Sequence, residues 1–298
     1  MFDFRLKVFN TVARRLNFTK ASLELNISQP AVTKHIKEIE HALHLQLFER
    51  NGTKIKLTKA GEVLKKHTQK IIEIHQEIEF EMSEFQNKHK GNLRLGASTT
   101  IAQYVLPPLL AEFHQRFPEI KISLIIQNTE QIETMLIEHS IDLGLIEGFS
   151  KNRNFHYKPF MKDEIVLVGK AQHPILKKKQ IKIEELQCLS FVEREPGSGT
   201  LETIETTLKN HHISMFNLKT EMQLGNTESI KSYLQHSEAV AFLSVQSIVQ
   251  ELRNNQLAII DIKNIEIPRE FNFITAEGEQ SKLIQLFIQF ALNHNQLL

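Results

Sequence analysis

Residues 17–61 read NFTKASLELNISQPAVTKHIKEIEHALHLQLFERNGTKIKLTKAG. A short helix is expected to start at Thr19, taken as its N-cap, and to bury Ala21, Leu23 and Leu25. The step Asn26-Ile27-Ser28 is too short for a loop. Ser28 caps the next helix, and Pro30 sits in its first turn, where a missing N–H costs little. Ala31, Val32, Ile36 and Ile39 then recur at steps of three and four and give one buried face. Gln29, Thr33, Lys34 and Lys37 are left on the other. Phe48 to Leu57 alternates as a hairpin around a turn at Asn51-Gly52. Upstream, Phe4, Val8, Thr11, Val12 and Arg15 have helical spacing between Asp3 and Leu16. Helix, helix, tight turn, helix and hairpin make a winged helix-turn-helix, which lays one helix in the major groove of DNA.

The exposed residue types suit that task. Gln29 can pair with an adenine edge, and Thr33 can donate, accept or touch a thymine methyl. Lys34 and Lys37 carry charge to phosphates, which position without reading sequence. Arg50, Thr53 and Lys54 flank the hairpin turn and, with Thr19 and Ser28, complete the expected DNA-contacting set. Any one of these lysines is more often a solvated surface charge; together on one module they favour DNA. Charge agrees. The chain of 298 residues is nearly neutral at +1, yet residues 1–70 hold 14 basic and 6 acidic groups, net +8, which leaves −7 for the rest.

The segment FTKASLELNISQPAVTKHIKEIEHALHLQLFER followed by LTKAG resembles the N-terminal signature of the LysR-type transcriptional regulators, and the resemblance covers essentially the whole chain. It implies that Gln29, Pro30, Thr33 and Lys34 face the groove. Ser22 stands where the family usually has Ala, and Thr53 where a wing Arg is common. Within the family, LRLGASTTIAQYVLPPLLAEFHQRFPEI with REPGSGT is most similar to the CysL and CbbR types, which respond to sulfur oxyanions or to small metabolites and nucleotides.

A helix is expected from Thr58 to about Lys88, with Leu64, Ile71, Ile78 and Phe85 seven apart, flanked by Ile74 and Met82. Such a repeat favours a partner helix, and the resemblance implies the same linker-helix dimer. Residues 88–92 read as a hinge. Beyond them, strands at 93–97, 120–126, 141–146, 165–168, 239–244, 259–262 and 271–275 alternate with helices at 102–116, 130–139, 201–211, 229–236 and 280–293. That order predicts α/β units with mostly parallel sheets. The resemblance implies a two-lobed effector domain like a periplasmic binding protein. The expected division is 1–58 DNA-binding, 59–91 linker and hinge, and 92–298 effector domain, with lobe one at 92–161 plus 268–298 and lobe two at 162–267.

Ligands of such sheets sit beyond the strand ends. Ser98, Thr99 and Thr100 open a helix with three hydroxyls, a set suited to an anion. Ordinary N-capping needs only one. Arg194-Glu195-Pro196-Gly197-Ser198-Gly199-Thr200 precedes another helix, and Gly197, Ser198, Gly199 and Thr200 are taken as contacts. Leu201 stands where related regulators often carry Arg. Asn226 and Thr227 open a further helix, and Asn128, Thr129 and Glu147 complete the expected cleft.

An enzyme is not expected. The histidines fall in no metal-spaced set, GxSxG is absent and no carboxylate pair stands out. The single Cys188, beside Leu186, Leu189 and Phe191, reads as a buried structural thiol. No long apolar run or signal peptide is present, so a cytoplasmic protein without membrane contact is expected. An architectural DNA-binding protein would not need some 200 further residues of α/β. The expected partners are double-stranded DNA, RNA polymerase, a small-molecule effector without any fixed cofactor, and copies of the chain as a dimer assembling to a tetramer.

Overall fold

The computed structural model describes residues 3–51, 54–85, 89–148, 152–276 and 280–295. Its backbone divides into two compact units, Met1–Lys88 and His89–Leu298.

The first unit begins with α1 (Phe4–Arg15), α2 (Phe18–Leu25) and α3 (Gln29–Leu43). Asp3 caps α1 and Ser28 caps α3, each by accepting a backbone N–H two or three residues on. The cap of α2 is Asn17, whose side chain accepts from Lys20 N at 2.9 Å; Thr19 lies inside the helix. Asn26 adopts the left-handed conformation and ends α2, so the turn to Ser28 is complete in three residues. Val8, Phe9, Val12, Ala21, Val32, Ile36 and Ile39 meet in one core. Leu23 is 73 % exposed, against the expectation that it is buried, and Leu25 and Ala31 are only partly covered. A helix of eight residues presents one narrow face to the core, and Ala21 with the buried Ser22 takes it.

The hairpin follows as β1 (Phe48–Asn51) and β2 (Lys54–Leu57), paired antiparallel from Phe48↔Leu57 to Asn51↔Lys54. Asn51 thus closes β1 instead of belonging to the turn. Glu40 of α3 fixes the hairpin's entry: its Oε1 accepts from Leu47 N at 2.8 Å and Phe48 N at 3.4 Å. Thr58 then caps α4 (Lys59–Glu84). Gly61 is required there, since a Cβ would lie 2.2 Å from the Leu47 carbonyl oxygen. Along α4, Leu64 packs on the module core, whereas Ile71, Ile74, Ile78, Met82 and Phe85 are exposed. The helix runs to Glu84, and residues 86–88, into which it was expected to continue, lie outside the described residues.

The second unit contains β3 (Gly91–Ser98), α5 (Leu106–Arg116), β4 (Ile120–Gln127), α6 (Thr129–Ile137), β5 (Leu143–Glu147), β6 (Phe155–Lys170), β7 (Ser190–Glu193), α7 (Gly199–Asn210), β8 (Lys219–Gln223), α8 (Thr227–Gln235), β9 (Ala241–Ser244), α9 (Val245–Arg253), β10 (Leu257–Ile259), β11 (Ile267–Ala276) and α10 (Lys282–Asn295). Seven strands form one sheet in the order β10-β6-β11-β5-β3-β4, with β9 also on β6. The sheet is mixed, not mostly parallel: β3 runs parallel to β4 and β5, while β6 and β11 are antiparallel to their neighbours. The sixteen-residue β6 reaches well beyond the strand expected at 165–168. Paired along ten positions, β6 and β11 run between two lobes. Lobe one holds β3, α5, β4, α6 and β5; lobe two holds the elements from β7 to β10. Ile132, Leu136, Ile146 and Ile274 pack in the first. In the second, successive residues of β6 serve opposite faces: Leu167 packs with Phe191 and Leu208, and Val168 with Val192 and Ile230.

The helix expected at 102–116 opens instead as a π-helical turn, Ile101–Val105. Cys188 is exposed, which corrects the reading of a buried thiol. It ends a 3-10 turn in which Leu186 takes the inward position. Among the described residues no helix is long and apolar enough to cross a membrane.

Candidate functional site

Two groups of side chains carry chemistry. The first lies on α3. Gln29, Pro30, Lys34 and Lys37 are exposed and Thr33 is half-covered. Gln29 Nε2 donates to Thr33 Oγ1 at 3.1 Å, and Thr33 donates to the Gln29 carbonyl at 3.2 Å. The amide is therefore held by a partner one turn away. Lys34 has only a 3.9 Å contact with Glu38. A shallow groove lined by Arg5, Pro30, Thr33, Lys34, Lys37, Glu38 and His41 runs along this face. Arg5, which the sequence pattern had not marked, is bonded to Asp3, the cap of α1. That bond holds the Asp3 carboxyl below its usual range. Ser28 is committed to its cap, accepting from Ala31 N at 3.3 Å. Thr19 is exposed on α2. Arg50 and Lys54 are placed by the hairpin backbone, and Thr53 lies outside the described residues.

The second group lies between the lobes. Glu147, at the end of β5, is its centre and is buried. Its Oε1 accepts from Thr200 at 2.8 Å and from Thr100 at 3.4 Å, and its backbone carbonyl accepts from Thr129 at 3.0 Å. Thr100 and Thr129 belong to lobe one and Thr200 to lobe two, so one residue ties three segments together. Gly199 makes the approach of α7 feasible: a Cβ would fall 1.9 Å from the Glu147 carbonyl oxygen. Gly197, at φ +81°, supplies the left-handed turn before it. Its carbonyl accepts from Glu130 N at 3.3 Å, while Asn128 Nδ2 donates to the Pro196 carbonyl at 3.3 Å.

The positive charges come from Arg194, which opens the stretch already singled out, and from Arg269, which no motif had marked. Arg269 of β11 is 6 % exposed. Its Nη1 lies 2.9 Å from Thr200 Oγ1 and 3.2 Å from Glu147 Oε2, and its Nε donates to Asp163 at 2.6 Å. The register pairs Arg269 with Asp163 directly across β11 and β6. Arg194 is also buried; it pairs with Glu195 at 2.8 Å and reaches Thr99 at 3.5 Å. No local signal announces Arg269, because its neighbours are set by strand pairing.

On these segments four buried atoms lack a hydrogen-bond partner, Ser98 Oγ, Ser198 Oγ, Glu147 Oε2 and Arg269 Nη2, although Glu147 Oε2 keeps its ion pair with Arg269. Neither Thr100 nor Ser198 uses its side chain to cap the helix it precedes. Asn128 does cap α6, in a capping box with Gln131. Asn226 caps α8 by accepting from Glu228 N and Ser229 N, which occupies its side chain, and Thr227 is buried behind it. These last two are not joined to the Glu147 cluster by any hydrogen bond. The lobes meet there through a different contact. Tyr104 OH donates to Glu228, and Lys231, bonded to Glu228 and Glu251 at 2.8 Å each, lies 5.0 Å from the centre of the Tyr104 ring. Burial, and then the bond to Glu228, push the Tyr104 hydroxyl far above its usual range. Among the described residues no group of three His, Cys, Asp or Glu is placed to hold a metal ion.

Comparison with known proteins identifies both domains. Residues 4–62 match the family model "Bacterial regulatory helix-turn-helix protein, lysR family", and residues 86–296 match "LysR substrate binding domain". The HTH-type transcriptional regulator CysL of Bacillus subtilis is 30 % identical over 292 residues, 98 % of this chain and 97 % of that protein. The HTH-type transcriptional activator CmpR of Synechocystis is 31 % identical over 98 % of this chain and 95 % of its own length. The regulatory domain of Synechocystis CcmR, solved in complex with 2-PG, superposes with TM-score 0.63 at 29 % identity, covering 68 % of this chain and 96 % of that one. The matching families and relatives are transcriptional regulators, not enzymes.

Proposed function

The chain belongs to the LysR family of transcriptional regulators, with a helix-turn-helix and an effector-binding domain, and from that premise we propose that a small anion bound between its lobes controls how it engages DNA. The supporting observation is the buried cluster around Glu147, in which Arg269 Nη2 and the hydroxyls of Ser98 and Ser198 have no partner. Buried polar groups without protein partners are uncommon, and these leave donors available to an anion. An entering anion finds donors in Ser98, Thr99, Thr100, Ser198, Thr200, Arg194 and Arg269. It competes with Glu147 for Thr100 and Thr200, the contacts that join the lobes. The ligand then shifts the lobe geometry by the difference in its affinity for the two arrangements. Gly197 and Gly199 let the backbone approach, while Asn128, Thr129, Asn226 and Thr227 hold the surrounding helix starts. The similar CcmR domain is solved with 2-PG, 2-phosphoglycolate, an anion of the expected kind.

At the other end, α3 enters the major groove with Gln29 and Thr33 on base edges. Lys34, Lys37, Arg50 and Lys54 meet phosphates. The exposed stripe Ile71, Ile74, Ile78 and Met82 on α4 supports a dimer. Dimers pair to a tetramer whose geometry alters DNA bending and contacts with RNA polymerase, in the cytoplasm where the DNA lies.

A thermal-shift titration tests the anion reading, using 2-phosphoglycolate, sulfite, sulfate, thiosulfate and phosphate. At a hundred times its dissociation constant a ligand adds about 2.7 kcal/mol to the domain that binds it. A selective shift, lost in Thr100→Ala and in Arg194→Ala, is expected. No shift with any anion removes the reading. A DNA footprint indifferent to every ligand would favour an architectural role.

A further inference from the structure

The contact of Tyr104 with Glu228 joins the lobes a second time, away from Glu147, and its two sides are built differently. Lobe two brings a finished socket. Lys231 of α8 is 5 % exposed. An ammonium has three donors. Lys231 directs them to the Ser247 carbonyl at 2.9 Å, to Glu228 at 2.8 Å and to Glu251 at 2.8 Å. All three partners lie on α8 or α9, so the lysine keeps them when the lobes part. Lobe one brings Tyr104, from the π-helical turn Ile101–Val105. Its hydroxyl donates to Glu228, and its ring centre lies 5.0 Å from the Lys231 ammonium. Burial, and then the bond to Glu228, keep that hydroxyl protonated, so it remains a donor.

Both sides of this contact lead back to the Glu147 cluster. On the side of lobe two the link is a run of polar contacts. Lys231 donates to the Ser247 carbonyl, and Ser247 Oγ donates to the Ser244 carbonyl at 2.7 Å. Ser244 Oγ donates to Asp163 at 2.9 Å, and Asp163 pairs with Arg269, which reaches Glu147. On the side of lobe one the link is a single turn of backbone. Thr100 donates to Glu147, and Tyr104, four residues on, donates to Glu228. The turn between them is π-helical, closed by Leu106 N on the Ile101 carbonyl. Single π-helical turns recur at functional sites. A ligand that takes Thr100 from Glu147 therefore acts on one end of the turn whose other end carries Tyr104.

We propose that Tyr104 and the Glu228–Lys231 pair form an interlobe latch that keeps the lobes together when a ligand takes Thr100 and Thr200 from Glu147, which makes Tyr104 a positioning residue for effector binding. Without the latch the cleft is open for more of the time, with the donors of the two lobes apart. The apparent affinity then falls with the fraction of molecules that can bind. A bond to a charged acceptor is stronger than one between neutral groups, so the hydroxyl is the main part of the latch and the ring over the ammonium the lesser. The latch stands on the contacts themselves; only its effect on affinity rests on the anion reading of the cleft.

The test has two arms, both on the full chain. The first uses no ligand. N-acetylimidazole acetylates tyrosine hydroxyls, and mass spectrometry of the peptides reads the rate at each site. Tyr233, bonded to Glu221 within lobe two, is the internal standard. Tyr104 should react more slowly than Tyr233. Glu228→Ala should raise its rate about fivefold or more and leave that of Tyr233 unchanged. The second arm is isothermal titration with 2-phosphoglycolate. Tyr104→Phe should weaken binding about tenfold while melting as the parent does, and Tyr104→Ala should weaken it further. A side chain that only supported the fold would lower the melting temperature and leave the affinity in place. If the parent binds no anion, the anion reading fails and the first arm alone decides the latch. The latch is overturned if Tyr104 reacts as fast as Tyr233, if Glu228→Ala leaves its rate unchanged, or if the parent and Tyr104→Phe bind 2-phosphoglycolate equally well.

Discussion

The surface of α3 and the cluster around Glu147 are built in opposite ways. On α3 the groups that matter lie within nine residues, Gln29 to Lys37, and one helix presents them to solvent. Around Glu147 they come from β3, β5, α7 and β11, span residues 98–269, and are buried. The first can lose a side chain and keep its shape. The second is part of its own scaffold, so ligand contacts and stability cannot be separated there. That difference orders the effects of substitution.

The largest effect is expected for Arg269→Ala. It leaves Glu147 and Asp163 buried without their cation, and breaking a buried pair from one side costs about 3–5 kcal/mol. Calorimetry of the full chain should show the effector-domain transition fall while that of the DNA-binding module stays. Unchanged melting would mean that Arg269 is not structural and would leave it a ligand contact alone. Gly61→Ala sharpens the comparison from the other side. Its methyl would meet the Leu47 carbonyl, and overpacking of this kind costs about 1–3 kcal/mol. The lower transition should now be that of the DNA-binding module.

Gln29→Ala should leave both melting transitions in place yet cost specific DNA binding about 1–3 kcal/mol, measured against a scrambled duplex. Equal loss on both duplexes would end its base-reading role. Asn17→Ala should destabilise the module by about 1 kcal/mol, and Thr19→Ala by much less, since Asn17 holds the cap. The smallest effect is that of Lys34→Ala. It should lower the slope of log affinity against log salt by about one and change preference among sequences little.

Legibility in the sequence followed the same division. Ser28, Pro30 and the Val32-Ile36-Ile39 stripe fix α3 by local rules, and the structure places them as those rules require. Where two local rules competed, the sequence misled. Asn17 and Thr19 can both cap, and backbone geometry chose Asn17. Leu23 and Cys188 looked buried by neighbourhood, but each sits on the outer side of a short turn of helix. In the effector domain the hydroxyls of Ser98 to Thr100 and of Ser198 to Thr200 stood out as motifs, and Glu147, Asn128 and Thr129 were found as their neighbours. Arg269 and Asp163 did not stand out, because only the pairing of β6 with β11 brings them together.

By itself, then, the sequence determined the helix-turn-helix, the basic head and acidic body, and the order of strands and helices. Each of these depends on residues within a few turns of one another or on simple composition. The tertiary structure alone decided that the sheet is mixed, that Arg269 meets Glu147 and Asp163, and that Thr100, Thr129 and Thr200 converge on Glu147. Those outcomes depend on strand register and lobe packing, which bring together residues whose separation along the chain carries no periodic signal.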